Sequence, residues 1–368
     1  MDKPPKAQKR VPRLVEYIIF GIAVVLSAIL MMIFFMRLPI EGTTLGVDLL
    51  MSAFDGGRLH YAEIFGLLNP PWSVLPLIPF GFLPDKAGWG LLTFSLIGVL
   101  LLSVPRTEKR WLFWLQALLL ITAFPTLRII ADAQLDVLVI GGLLLVYYAY
   151  HKESPLLLAI AVLLATAKPQ SVHITMLVLG VYLLQTWHVR KWFTFGAITI
   201  AVVGLMMLWK GREWLVAVSN FQFTNTLIDI SLSGALNRLG APNIVLVILS
   251  IGILLTCFWL VWRGNREMSR EKLALLTTTS MLLAAYQGGN GILVPFAIGI
   301  MPLFSKRPYF AVLIIMLIDI GYFINRPAYI NIFSYYFTLV LIVMWLVLVW
   351  HVYREEIHVR QRQKNDMI

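Results

Sequence analysis

The 368-residue sequence holds a single cysteine, Cys257, and only 13% of its residues are charged. One thiol inside an apolar stretch excludes a disulfide framework and leaves the redox compartment open. Soluble domains carry about 25% charged and about 45–50% apolar residues, whereas hydrophobic residues here reach 59%. So little polar surface cannot coat a water-soluble body. That excludes a soluble enzyme, a disordered chain and a nucleic-acid-binding domain with a basic face. Also missing are the phosphate and nucleophile motifs GxGxxG, GxxxxGKS/T and GxSxG, and any His, Cys and carboxylate set with structural-metal spacing. There is no low-complexity linker and no short-period repeat.

What the chain has instead is long apolar runs rich in Trp, Phe and Met. A helix rises about 1.5 Å per residue and the hydrocarbon core is about 30 Å thick, so roughly 20 apolar residues cross it. The candidate spans are 15–36, 87–104, 111–127, 135–150, 155–167, 171–186, 193–209, 242–262, 273–286, 291–304, 309–324 and 331–352. The short ones, 155–167 and 273–286, need polar ends dipping into the membrane or burial among neighbouring helices. Residues 73–84 (SVLPLIPFGFLP) are too few, and too broken by Pro76, Pro79 and Pro84, to span; they are placed at the interface or as a re-entrant segment. The N-terminus is basic, and the apolar stretch behind it is too long for a signal-peptide core, so it reads as a retained first span. The net charge of +11 needs no nucleic acid. With twelve spans and both termini in the cytoplasm, most Lys and Arg fall on the cytoplasmic side, in the connections and the two tails, as the positive-inside rule requires. Two sizeable outer segments remain, 37–86 and 210–241.

An ionisable residue near membrane depth is costly and marks a functional candidate. Three groups meet at outer span ends: Asp48 with Asp55, Arg58, His60, Tyr61 and Glu63; Arg128, Asp132, Gln134 and Asp136 in TLRIIADAQLD; and Lys168, Gln170 and His173 in AKPQSVH. Asp132 and Asp136 are four apart and share a face if that turn is helical. Two close carboxylates raise each other's pKa unless a cation is near, and Arg128 and Lys168 are the obvious cations. Asp136 reads equally as a solvated helix cap. GGNG at 288–291 reads as a turn. In 210–241, Trp214, Phe221 and Phe223 offer stacking faces to a glycan, with an amphipathic interfacial helix as the plainer reading.

In order along the chain come an outer-loop aspartate (GVDLL), GGRLHY about a dozen residues later, a Pro-Pro segment (NPPWSVLPLIPFGFLP), an outer-turn Gln (ADAQLDVL) and a Lys-Pro turn (LLATAKPQ). This pattern, over roughly residues 15–190, resembles the GT-C superfamily of integral-membrane glycosyltransferases, and within it glycosyltransferase family 87. The resemblance implies an enzyme that takes a hexose, mannose in many members, from a polyprenyl-phosphate sugar and adds it to an acceptor at the outer face. Asp48 then matches the first-loop acid acting as catalytic base, Pro70 and Pro71 the Pro-Pro segment, and Gln134 and Lys168 the polar positions at the two outer turns. Two departures are Asn69, where the family usually has an aromatic residue, and Ala133, where glycine is commoner.

The expected fold is an all-α polytopic membrane protein, a GT-C-like bundle of about twelve transmembrane helices with interfacial helices in the first outer loop. Its parts are a basic cytoplasmic tail at 1–14, a GT-C-like module at 15–209 with catalytic outer loop 37–86, a second outer loop at 210–241, C-terminal helices at 242–352 and a cytoplasmic tail at 353–368. The expected reaction is inverting transfer of a hexose from a polyprenyl-phosphate donor to a lipid or glycan acceptor, in the plasma membrane and at its extracytoplasmic face. Asp48 is the base, and Arg58, Tyr61, Pro70, Pro71, Arg128, Asp132, Gln134, Lys168 and Gln170 bind substrate. The leaving phosphate is stabilised by Lys168, Arg128, Arg58 or Arg238. No metal or cofactor is required, and the partners are donor, acceptor and bilayer, without nucleic acid. A lipid or polysaccharide transporter or flippase, and a non-catalytic GT-C-like subunit, stand as alternatives.

Overall fold

The computed structural model describes residues 13–38, 69–106, 109–220, 229–263, 268–306, 308–324 and 330–365. Among these the chain is helical, and its only bridge outside helices pairs Asp229 with Gly288. The helices are α1 (Arg13–Met36), α2 (Pro71–Val74, continued by a 3-10 segment Leu75–Phe82), α3 (Asp85–Ser103), α4 (Arg110–Thr122), α5 (Phe124–Ala131), α6 (Asp136–His151), α7 (Pro155–Ala165) and α8 (Pro169–Thr186). They are followed by α9 (Val189–Met206, continued to Asn220), α10 (Leu232–Arg238), α11 (Asn243–Arg263), α12 (Arg270–Leu282), a composite α13 over 289–306, α14 (Pro308–Ile324) and α15 (Ile330–Asn365).

Local sequence accounts for the junctions. Pro71, Pro125, Pro155 and Pro169 stand in the first turn of α2, α5, α7 and α8, where a missing N–H costs nothing. A residue before proline is driven out of the helical region; Lys168, at φ −124° and ψ 84°, ends the α7–α8 turn in that way. Gly142 lets α6 and α7 approach to backbone contact: a Cβ there would lie 2.4 Å from the Ala165 nitrogen.

The helices divide into an interior and a perimeter. In α12 every residue from Glu271 to Leu282 is buried. Its hydroxyl groups are satisfied inside the protein: Thr278, Thr279 and Ser280 donate to carbonyls one turn back, Thr279 also accepts from Trp345 Nε1 at 3.0 Å, and Ser280 accepts from the Ile174 amide at 3.0 Å. A helix surrounded by protein can be short and carry polar groups that lipid would not tolerate. By contrast α9 and α11 are exposed along most of their length, showing Ile200, Leu205, Leu208, Ile244, Ile248 and Leu255 outward. Such apolar faces suit a lipid surrounding.

Each of the twelve apolar segments is helical over most of its length, though 273–286 leaves the helix after Leu282 and 155–167 after Ala165. By length and composition, however, four described helices are able to cross a membrane: Asp85–Ser103, Val189–Asn220, Asn243–Trp262 and Ile332–Glu355. The pair Arg110–Thr122 and Phe124–Ala131, bent by 52°, makes a fifth if it is one crossing. Among the rest, α7, with 11 residues, is about 16 Å long and too short on its own. Two helices run on past the expected span ends. The segment ending at 209 continues through a π turn, Met207–Gly211, into Arg212–Asn220, with no proline or cap to stop it. The expected tail from 353 is the continuation of α15, which has 36 residues. Residues 73–84, expected at the interface or as a re-entrant segment, are helical up to Phe82 as part of the short run Pro71–Phe82.

Candidate functional site

The junctions α5–α6 and α7–α8, the start of α2 and the start of α13 meet at one end of the bundle. Asn69 Nδ2 donates to the Ala167 carbonyl at 2.6 Å, and Trp72 Nε1 to Thr166 Oγ1 at 3.0 Å, so the Pro-Pro segment is tied to the Lys-Pro turn. Pro70 and Pro71 are buried beneath these contacts. Lys168 Nζ reaches Asp136 Oδ2 at 2.6 Å and Gln134 Oε1 at 3.1 Å. On the far side of the turn, Asp132 pairs with Arg128 at 3.1 Å and accepts from Asn290 Nδ2 at 3.1 Å.

The α5–α6 turn is not helical, which corrects the expectation that Asp132 and Asp136 share a face. Ala133 has φ +47°. The Gln134 amide bonds back to Ile129 and the Ala133 amide to Ile130, the paired bonds of a Schellman end, in which one residue must be left-handed. The chain reverses its twist there, so the two carboxylates part and each takes its own cation. A left-handed residue other than glycine costs roughly 1–2 kcal/mol there. The substituted Asn69 has a use as well: its amide satisfies a carbonyl just beyond the end of α7, one of the groups a helix leaves unpaired.

Electrostatically the two pairs are unlike. Asp136 is fully buried, and its Oδ1 has no hydrogen-bond partner among the described residues. Lys168 is 14% exposed, so its charge is committed to Asp136. Arg128 is 42% exposed and is the accessible cation of the cluster. Arg238 donates to the Asp229 carbonyl at 2.8 Å, with its guanidinium over the Tyr335 ring. Gln170 is half-buried in the first turn of α8, its carbonyl 3.2 Å from His173 Nδ1. Asp48, Arg58 and Tyr61, with Asp55, His60 and Glu63, lie outside the described residues.

Several members of this end escape a sequence reading. Asp229 is buried and accepts from the amides of Ser231 and Gln287, both at 2.9 Å; Gln287 Oε1 in turn accepts from Ser171 Oγ at 3.0 Å. Its signal was present, since an acid between Ile228 and Ile230 is as isolated as Asp48 in GVDLL. Asn290, in the supposed plain turn GGNG, had no such signal. Trp214 packs edge-on against Trp72 at 5.5 Å, near the cluster but built into the bundle. Among the described residues, the one group with metal-ligand composition is Glu271, His351 and Glu355, whose ligand atoms lie within 4.8 Å of one another. It sits on the first turn of α12 and the far part of α15, and takes no part in this site.

A buried carboxylate–ammonium pair, an accessible guanidinium and several amides at one end of a membrane bundle can bind an anionic, hydroxyl-rich ligand. The chain matches the model of glycosyltransferase family 87 over residues 67–285. This match begins after Asp48 and reaches well past the residue-190 limit of the resemblance, through α12, the helix that packs against α8. No curated protein and no solved structure matches the chain. Since the matched stretch covers more than half of the sequence and contains Asn69, the α5–α6 and α7–α8 turns and Asp229, the chain belongs to glycosyltransferase family 87.

Proposed function

We propose that the protein transfers a hexose, mannose by family analogy, from a polyprenyl-phosphate sugar to a lipid or glycan acceptor at the extracytoplasmic face, in a twelve-span arrangement with both termini in the cytoplasm. The observation that carries this reading is the gathering of Arg128, Asp132, Gln134, Asp136, Lys168 and Asn290 at one end of a family 87 chain. A sugar hydroxyl is a poor nucleophile until its proton is being removed, and a carboxylate within about 2.6–3.2 Å does that work. Asp48 has this role here. A single displacement at the anomeric carbon needs only that base and inverts configuration. The departing polyprenyl phosphate gains negative charge, which a fixed cation stabilises in a water-poor site. Arg128, accessible and paired with the partly exposed Asp132, fits that task better than Lys168, whose ammonium is held by the buried Asp136. Lys168 instead orients Gln134, leaving the Gln134 amide nitrogen to address donor or acceptor hydroxyls.

The test is sugar transfer in membranes carrying wild type, Asp48→Asn and Arg128→Gln at matched expression, with radiolabelled polyprenyl-phosphate mannose, glucose and arabinose as donors. Transfer by wild type from one donor, reduced about 10²–10⁴-fold by Asp48→Asn and about 10²–10³-fold by Arg128→Gln, supports the assignment. Equal transfer by wild type and Asp48→Asn moves the base elsewhere. No transfer from any donor removes the enzyme reading and turns attention to lipid transport.

A further inference from the structure

The break between α4 and α5 lies inside an apolar segment, where an unsatisfied amide costs several kcal/mol. The residue that should cap α5, Ala123, has no side chain able to do so. The cap comes from 195 positions away: the Phe124 amide donates to Asp319 Oδ1 at 2.9 Å. An acid in the middle of the apolar helix α14 is otherwise hard to account for. Facing the positive end of a half-helix, it is favourably placed.

The helix that presents Asp319 is itself held. Tyr336 of α15 donates its hydroxyl to the Leu317 carbonyl. Phe337 lies against Gly321, where a Cβ would come within 2.2 Å of the ring, and stacks on Phe124 at 6.5 Å. At its other end α5 is fastened by Trp89 Nε1, which donates to the Ile130 carbonyl at 2.6 Å. Between these two fixed points α5 carries Arg128 and leads into Asp132, Ala133 and Gln134.

We propose that Asp319 is a positioning residue of the site. Its carboxylate caps α5 from a distant helix, fixes the 52° bend, and so sets the placement of Arg128, Asp132 and Gln134. The meaning of that placement for transfer rests on the function proposed above; the placement itself does not.

The experiment compares full-length wild type, Asp319→Leu and Asp319→Asn in lipid nanodiscs by hydrogen–deuterium exchange and by donor kinetics. Asparagine keeps the Oδ1 acceptor, whereas leucine removes it at similar volume. In Asp319→Leu, exchange should rise at least tenfold in peptides covering both 124–131 and 132–136, with 169–186 unchanged, and Asp319→Asn should return it to within threefold of wild type. Where wild type transfers sugar, kcat should fall at least tenfold in Asp319→Leu with KM moving less than threefold, and recover in Asp319→Asn. Unchanged exchange over 124–131 would overturn the cap. Faster exchange confined to 124–131, or faster exchange over both peptides with unaltered kcat, would reduce it to local stability and overturn the positioning role. If wild type transfers nothing, the functional reading fails while exchange over 132–136 still decides the placement. Should Asp319→Leu not accumulate as folded protein, Asp319→Glu, which shifts the carboxylate by one methylene, is read by the same criteria and should give an intermediate rise.

Discussion

Two cation–carboxylate pairs close helix junctions in this protein, alike in chemistry and in backbone but not in surroundings. Lys168–Asp136 lies at the end that gathers the candidate site, with side chains 14% and 0% exposed. Lys191 and Glu153 join the α6–α7 turn to the start of α9 at the other end, and are 41% and 55% exposed. Each pair adjoins a Schellman turn whose left-handed residue is not glycine, Ala133 at φ +47° in one and Glu153 at φ +48° in the other. The backbone device is the same and the surroundings are not. In water a pair gains little, because solvation already stabilises both charges. Out of water, removing one partner strands the other without solvent. The buried pair is thus a constraint on how α6 and α8 dock, and the exposed pair a surface contact.

The largest effect that sharpens this comparison comes from Lys168→Met, which leaves the Asp136 carboxylate buried and alone. It should cost about 3–5 kcal/mol of stability in an unfolding titration in mixed micelles. The double variant Lys168→Met/Asp136→Leu should recover most of that loss, since well-packed apolar residues replace a buried pair at little cost. A single-variant loss below about 1 kcal/mol would erase the distinction between the two ends. Next in size are the turns themselves. Ala133→Gly and Glu153→Gly should each stabilise by about 0.5–1 kcal/mol, because glycine alone takes a left-handed conformation without strain. The two gains should be alike whatever the burial, and a clear inequality would show that packing around Ala133 matters more than its backbone. Smallest is Lys191→Ala, expected to change stability by about 0.5 kcal/mol or less. That effect should vanish in 1 M salt, where screening extends over only about 3 Å.

The contrast also shows which features could be read along the chain. Helix positions were legible, because twenty-residue apolar runs and prolines at first turns are local signals. So was the association of ADAQLD with AKPQ, because both are polar interruptions of apolar segments and share a side when spans are counted. The division of labour within that association was not. Asp132 and Asp136 look like one helical face until Ala133 reverses the chain between them, and a left-handed alanine carries no compositional mark. Nor was the burial of a short helix legible, since α12 reads as a span in sequence whereas every residue from Glu271 to Leu282 is buried in three dimensions.

Composition and charge placement by themselves determined that this is a helical membrane protein, because those properties depend on residues within a few turns of one another; the glycosyltransferase kind came from the resemblance of its short motifs to family 87, which the family match bears out. Only the tertiary structure decided which groups meet. Lys168 finds Asp136 across 32 positions, Asn290 finds Asp132 across 158, and Asp319 finds the Phe124 amide across 195. No periodicity encodes such pairings. They arise because each buried polar group must find a partner within the protein where neither lipid nor water supplies one, and the packing of the helices determines which partner is within reach.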